Sequence, residues 1–184
     1  MTHSSLAFLL SCVLVLPAAT ARAACDELLR AVSPTARFTV EPDGTATDNR
    51  TGLTWQRCPL GTVLDDGGTP TVLADDHCVP SGSAPQTYSW GAALQAAQTL
   101  NSAGGFAGFT DWRLPNRKEL LSIVETRCTF PAINSQVFPD TPGDSFFTST
   151  PSVSSQSTSF TVEFGQGFEL PTGRTALLRV RLVR

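Results

Sequence analysis

Four carboxylates, Asp65, Asp66, Asp75 and Asp76, fall between Cys58 and Cys78. Hard oxygen donors on a loop are what a calcium ion takes, so this is the first place where the chain could hold a metal. The spacing fits no EF-hand, and solvated loop acids are the plainer reading. His77 follows Asp76 directly; a lone imidazole there could move protons, yet a solvated loop histidine explains it as well. A second group is basic. In "ALLRVRLVR" Arg179 and Arg181 alternate with Leu178, Val180 and Leu182, which puts both on the polar side of a final strand. Arg184 lies beyond them, and Arg113, Arg117 and Lys118 surround the start of a helix. Guanidinium forks match sulfate and carboxylate bidentately, so these residues are a candidate face for an acidic glycan. A solvated strand whose charges prevent edge pairing is the alternative, and the net charge of −3 favours it.

The cysteines restrict the chemistry further. Cys25, Cys58, Cys78 and Cys128 follow the amino-terminal region, and an even count in an exported chain suggests two disulfides with three possible pairings. Cys58 and Cys78 bracket a turn-rich stretch without a core period, so stapling its ends is expected; Cys25 is then left with Cys128. Disulfides at all four positions leave no thiol for nucleophilic catalysis. No phosphate loop, zinc motif or Gly-x-Ser-x-Gly elbow is present. Catalysis and a cofactor are therefore not expected, and an enzyme of unrecognised chemistry remains the third reading of function.

The elements that must position these residues are short. Leu6 to Leu16 is an apolar run ending at Pro17, followed by "AATARAAC" with Ala21 and Ala23 in signal-peptidase spacing. Residues 1–23 are read as an export signal, and 24–184 as one domain. The apolar run is too short to span a bilayer, and no later segment is apolar enough. Lipid attachment at Cys25 is the rival reading, disfavoured by Arg22 three places before it. The acidic balance argues against nucleic acid as a partner.

Phe38 and Val40 open a set of short strands separated by "EPDGT" and "NRTG" turns. Ser89 caps a helix in which Trp90, Ala93, Leu94, Ala97 and Leu100 share a face, stopped by Gly104 and Gly105. In "GFTDWRLPNRKELLSIV", Pro115 ends an extended step, Asn116 caps a second helix of about nine residues, and Glu119 can close a capping box. So short a helix needs packing, which Trp112 and Leu114 supply if they face inward, with Arg113 turned out toward Asp111 or Glu119. "SFFTSTP", "SFTVEFGQGFEL" and the final segment read as strands. Strands, two helices and strands again make an α+β domain.

"TGLTWQRC", "YSWGAALQAAQTLN", "GFAGFTDWRLPNRKELLSIV", "PAINSQVFP" and "RVRLVR" together resemble the Lcl C-terminal domain family, named after a bacterial collagen-like adhesin. The resemblance runs from about Phe38 to Arg184. "WRLPNRKEL" is also similar to a segment of sulfatase-modifying-type domains, whose folds are C-type-lectin-like. That implies two helices packed beside a twisted antiparallel sheet, first and last strands paired, and Asp111 to Pro115 as a structural joint. The sugar-binding "WND" and "EPN" tripeptides of calcium-dependent lectins are absent. The family's adhesin implies recognition of a sulfated or acidic glycan at the cell envelope. Docking onto another envelope protein is the alternative.

Overall fold

The computed structural model describes residues 23–84 and 86–184. The expected export signal lies outside the described residues, residue 23 excepted. Ten strands and two α-helices follow in α+β order, with every strand pair antiparallel.

β2 (Phe38–Val40), β3 (Thr45–Asp48) and β4 (Thr54–Gln56) form one meander. β5 (Thr62–Asp65) and β6 (His77–Pro80) form a hairpin. β8 (Ser145–Pro151), β9 (Thr158–Glu163) and β10 (Phe168–Gly173) form a second meander. β1 (Ala24–Cys25) pairs with β7 (Cys128–Thr129). Instead of one twisted sheet, the strands are divided among four small ones.

Both expected disulfides are formed, Cys58–Cys78 and Cys25–Cys128. The second occupies the sulfur that lipid attachment at Cys25 would require. The segment between Cys58 and Cys78 is more ordered than a turn-rich loop, because its ends pair in register from Thr62↔Pro80 to Asp65↔His77.

α1 (Trp90–Ser102) starts where Ser89 accepts a hydrogen bond from the Ala92 amide. The Trp90 indole donates to the Thr148 carbonyl at 2.8 Å, tying the helix start to β8. α2 (Arg117–Ser122) is shorter than the expected nine residues. Its capping box is complete: Asn116 Oδ1 accepts from Glu119 N at 3.0 Å and Glu119 Oε2 accepts from Asn116 N at 2.7 Å. Ile123 and Val124, expected on this helix, lie beyond its end but are buried.

The chain's last residues join these pieces. Residues 178–184 form no regular strand, yet Thr54, Gln56 and Leu60 donate to the carbonyls of Arg184, Leu182 and Val180 at 2.8–3.1 Å. On the other side, Val183 and Arg113 exchange both backbone bonds at 2.9 and 3.0 Å. Side chains of an extended segment alternate, so each face meets a different core. Val183 enters one cluster with Trp55, Leu120, Ile123, Phe138 and Phe146. Val180 and Leu182 enter the other, with Ala93, Ala97, Trp112, Leu114 and Phe147.

This corrects the expected position of Arg181. The alternation holds, but the odd-numbered side is also covered, and Arg181 is completely buried. Its guanidinium donates to the Gln56 carbonyl at 2.8 Å, to the Arg57 carbonyl and to Thr141 Oγ1 at 2.6 Å, and it lies over the Phe138 ring. Burial pulls its pKa down to about 9, and neighbouring Arg57 pushes in the same direction. An arginine in that position holds a core together and cannot meet a ligand from solvent.

Candidate functional site

The joint around Trp112 is internal. Trp112 and Leu114 are 2 % and 3 % exposed, and Pro115 is buried, while Asp111, Arg113 and Asn116 face outward. The indole donates to the Phe106 carbonyl at 3.0 Å. The Trp112 backbone is held at both polar groups by the Asn101 carboxamide, at 3.1 and 2.7 Å. Arg113 meets Glu119 through two hydrogen bonds of 2.8 and 2.9 Å. Arg184 donates to Asp111 at 2.8 Å and covers the Phe109 ring, and that bond holds the Asp111 carboxyl below its ordinary pKa.

The expected anion face is not assembled. With Arg181 buried, Arg179 bonds Asp144 and Gln86 at 3.3 and 3.0 Å, and Arg117 is paired with Glu169. Lys118 is exposed near Arg117. The carboxylates of the disulfide hairpin are also engaged. Asp66 accepts from the Gly68 amide, Asp65 from the Gly67 amide and Asp75 from Thr69. Asp76 is no loop ligand: it is buried against the Arg57 guanidinium. Among the described residues no cluster of three or more His, Cys, Asp or Glu side chains is placed to hold a metal. His77 Nδ1 lies 3.1 Å from Asp140, with both side chains well exposed.

Two carboxyl groups make the fold acid-sensitive. Asp48 is fully buried; burial raises its pKa, but hydrogen bonds from Arg37, Thr51 and the Arg50 amide outweigh this and hold it low. Glu119 is lowered chiefly by its hydrogen bonds from Arg113, against an opposing effect of burial. A carboxyl depressed in the folded state stabilises above its unfolded pKa of ~4, and that stability disappears as pH falls through the folded value. Thermal melts should therefore be flat from neutral pH to about 5 and fall below about 4. Asp48→Asn should flatten that acid limb while lowering the plateau; an unchanged limb would assign the acid loss to other groups.

One concavity is neither charged nor filled by its own polar network. It lies between the β5–β6 hairpin, the residues before α1, the end of α1 and the loop after it, and encloses about 200 Å3. Leu60, Leu64, Leu100, Tyr88 and Phe106 provide its apolar walls, and no lining residue carries a charge. Each wall is positioned independently. Tyr88 exchanges two backbone bonds with Leu178 at 2.8 and 2.9 Å. Phe106 bridges Phe109 through two 3.0 Å backbone bonds and meets the Trp112 ring edge-on, centroids 5.8 Å apart. Gly44, with φ of +86°, lets the Phe106 ring close over the β2–β3 turn; a Cβ there would stand 3.1 Å from the ring. The inward clamp at Trp112 thus holds one wall of the cleft from behind.

Gln56 lines this cleft although it is only 6 % exposed. Its backbone is fully engaged, with N–H to Leu182 and C=O from Arg181. Its carboxamide has no hydrogen-bond partner among the described residues and keeps contact with solvent. Burial raises the Tyr88 phenol's pKa, so it stays a neutral hydroxyl. The sequence reading passed over Gln56, Tyr88 and Phe106; "TWQRC" shows Gln56 as an ordinary strand residue, and nothing local marks its burial.

A second concavity of about 260 Å3 beside the Cys25–Cys128 disulfide differs in kind. Its polar groups serve one another: Glu125 accepts from the Val32 and Ser33 amides, and Asn134 donates to Ser33 and Thr35. That is a network fastening the amino-terminal arm.

Residues 44–184 match the family model of the Lcl C-terminal domain, and the chain belongs to that family. No curated protein matches the chain.

Proposed function

We propose that this Lcl C-terminal domain is an exported, non-catalytic recognition module, and that the cleft floored by Gln56 receives part of another envelope protein. The observation that carries this reading is the pre-formed, uncharged hollow lined by Gln56, whose carboxamide has no hydrogen-bond partner among the described residues. Apolar walls with a few placed polar groups are the usual make-up of a binding pocket. The hydroxyl and carboxamide groups gathered there include no general base. The C-type-lectin-like architecture implied by the resemblance belongs to the same proposal. It is supported by the helices lying against strands and by the final residues adding alongside β4.

An acidic or sulfated glycan is the second reading, favoured by exposed Lys118 near Arg117. A sulfate arriving there would have to compete with Glu169 for Arg117 and with Asp144 for Arg179. Exposed pairs of this kind are weak, so exchange is feasible but salt-sensitive.

The two readings separate with one surface variant. Ser81 is exposed at the cleft and belongs to neither core cluster, so Ser81→Trp should fill it from the solvent side. Envelope proteins retained by the oxidised mature protein should be lost on Ser81→Trp and should persist in Arg117→Ala. Retention unaffected by the filled cleft removes the cleft from the function. Salt-sensitive binding to a sulfated-glycan array that Arg117→Ala abolishes would put the ligand on the arginine side instead.

A further inference from the structure

We infer that the cleft takes a neutral aromatic ring bearing one hydroxyl: a phenol, either free or as the side chain of a tyrosine. This rests on the recognition reading above and names the chemistry of its ligand. The size sets the first limit. A hollow of about 200 Å3 falls below the ~300–1,000 Å3 of drug-sized pockets. It suits a ligand the size of one substituted ring.

The walls set the next limit. Leu60, Leu64 and Leu100 are aliphatic, and Tyr88 and Phe106 present rings, so most of the ligand's surface must be apolar. A pyranose carries hydroxyls around its whole rim, and those facing the leucines would lose water without a replacement. A charged group fares worse, because no lining side chain carries an opposite charge.

The carboxamide of Gln56 sets the last limit. A purely hydrocarbon ring seated over it would expel water and leave both its donor and its acceptor dry, at a cost in affinity. A ligand hydroxyl removes that penalty, since it can donate to the amide oxygen or accept from the amide nitrogen. Thr62 is engaged with the Pro59 carbonyl and Ser81 is exposed, which leaves the Gln56 carboxamide and the Tyr88 hydroxyl to meet one polar group on an apolar ring. Tyr88, held neutral by burial, adds an aromatic neighbour without adding charge.

The test uses the oxidised mature protein, p-cresol as the free phenol, N-acetyl-tyrosinamide as the peptide form, and toluene as the ring lacking a hydroxyl. Binding is read by chemical-shift titration of backbone amides. p-Cresol should bind roughly five- to tenfold more tightly than toluene, shifting amides of the β5–β6 hairpin and residues 104–109. In Gln56→Leu that preference should vanish or reverse, while toluene still binds. Ser81→Trp should abolish both. Binding of N-acetyl-tyrosinamide at least as tight as p-cresol assigns the ligand to a peptide; binding only of the free phenol assigns a small molecule. The inference is overturned if toluene equals p-cresol in the wild type, if Gln56→Leu leaves the preference intact, or if none of the probes binds at millimolar concentration. If the phenols fail while Ser81→Trp still abolishes retention of an envelope protein, recognition through the cleft survives with a different ligand. If Ser81→Trp has no effect on retention either, both fall together.

Discussion

Trp112→Ala should lower the folding stability by about 3–5 kcal/mol, the usual cost of truncating a large buried aromatic. The indole is 2 % exposed and belongs to the cluster formed by Ala93, Ala97, Leu114, Phe147, Val180 and Leu182. Alanine would leave a hollow in the cluster that α1, β8 and the final segment share. It would also strand the Phe106 carbonyl, which accepts the indole N–H at 3.0 Å. Small helices offer little compensation, because α2 has only six residues and depends on packing. Denaturant unfolding followed by circular dichroism measures the loss; Trp112→Phe, which keeps part of the ring but not the N–H, should fall between. A midpoint unchanged in Trp112→Ala would mean that the segment is not a clamp. The effect should extend to the cleft, since Phe106 leans on this ring. Weaker ligand binding in Trp112→Phe than in Ser102→Ala, an exposed change at the end of α1, is the corresponding readout.

The clamp was readable because its determinants are local. Ser89 before an apolar period, the Asn116–Glu119 spacing and two large apolar residues flanking Arg113 each depend on a few neighbouring side chains. The disulfide pairing was readable for a related reason: the turn-rich stretch leaves Cys58 and Cys78 little other role. Arg181 fails differently. Alternation along "RVRLVR" separates two faces correctly but cannot say that both are covered, because Arg181's side is covered by Phe138, Thr141 and Phe146, all distant in sequence. A sequence rule that equates the charged face with solvent holds only for a strand with one free side. The cleft was invisible for the same reason taken further. Its walls come from β4, the disulfide hairpin, the residues before α1 and the loop after it, and each residue looks unremarkable in its own segment.

Arg57→Met should cost about 3–5 kcal/mol, and the reason lies in what it leaves behind. Arg57 and Asp76 form an ion pair with side chains 2 % and 3 % exposed, and Arg57 also donates to the Val137 carbonyl at 2.9 Å. Methionine replaces the stem well enough, but the Asp76 carboxylate then sits in the interior without a counter-charge. The stranded acid should take up a proton to relieve this, raising its pKa above the unfolded value of ~3.9. A group whose folded state binds the extra proton gains stability as pH falls. The penalty should therefore be smaller at pH 5 than at pH 8, a range over which Asp48 and Glu119 leave the wild type flat. Removing both charges tests the account: Arg57→Met with Asp76→Leu should recover much of the loss, short of what the orphaned Val137 carbonyl costs. A single variant costing under about 1 kcal/mol, or a double no better than the single, would show that Asp76 escapes to water. In that case the β5–β6 hairpin is held by its disulfide and by the Asp140 contacts to His77 and the Cys78 amide, without help from the buried ion pair.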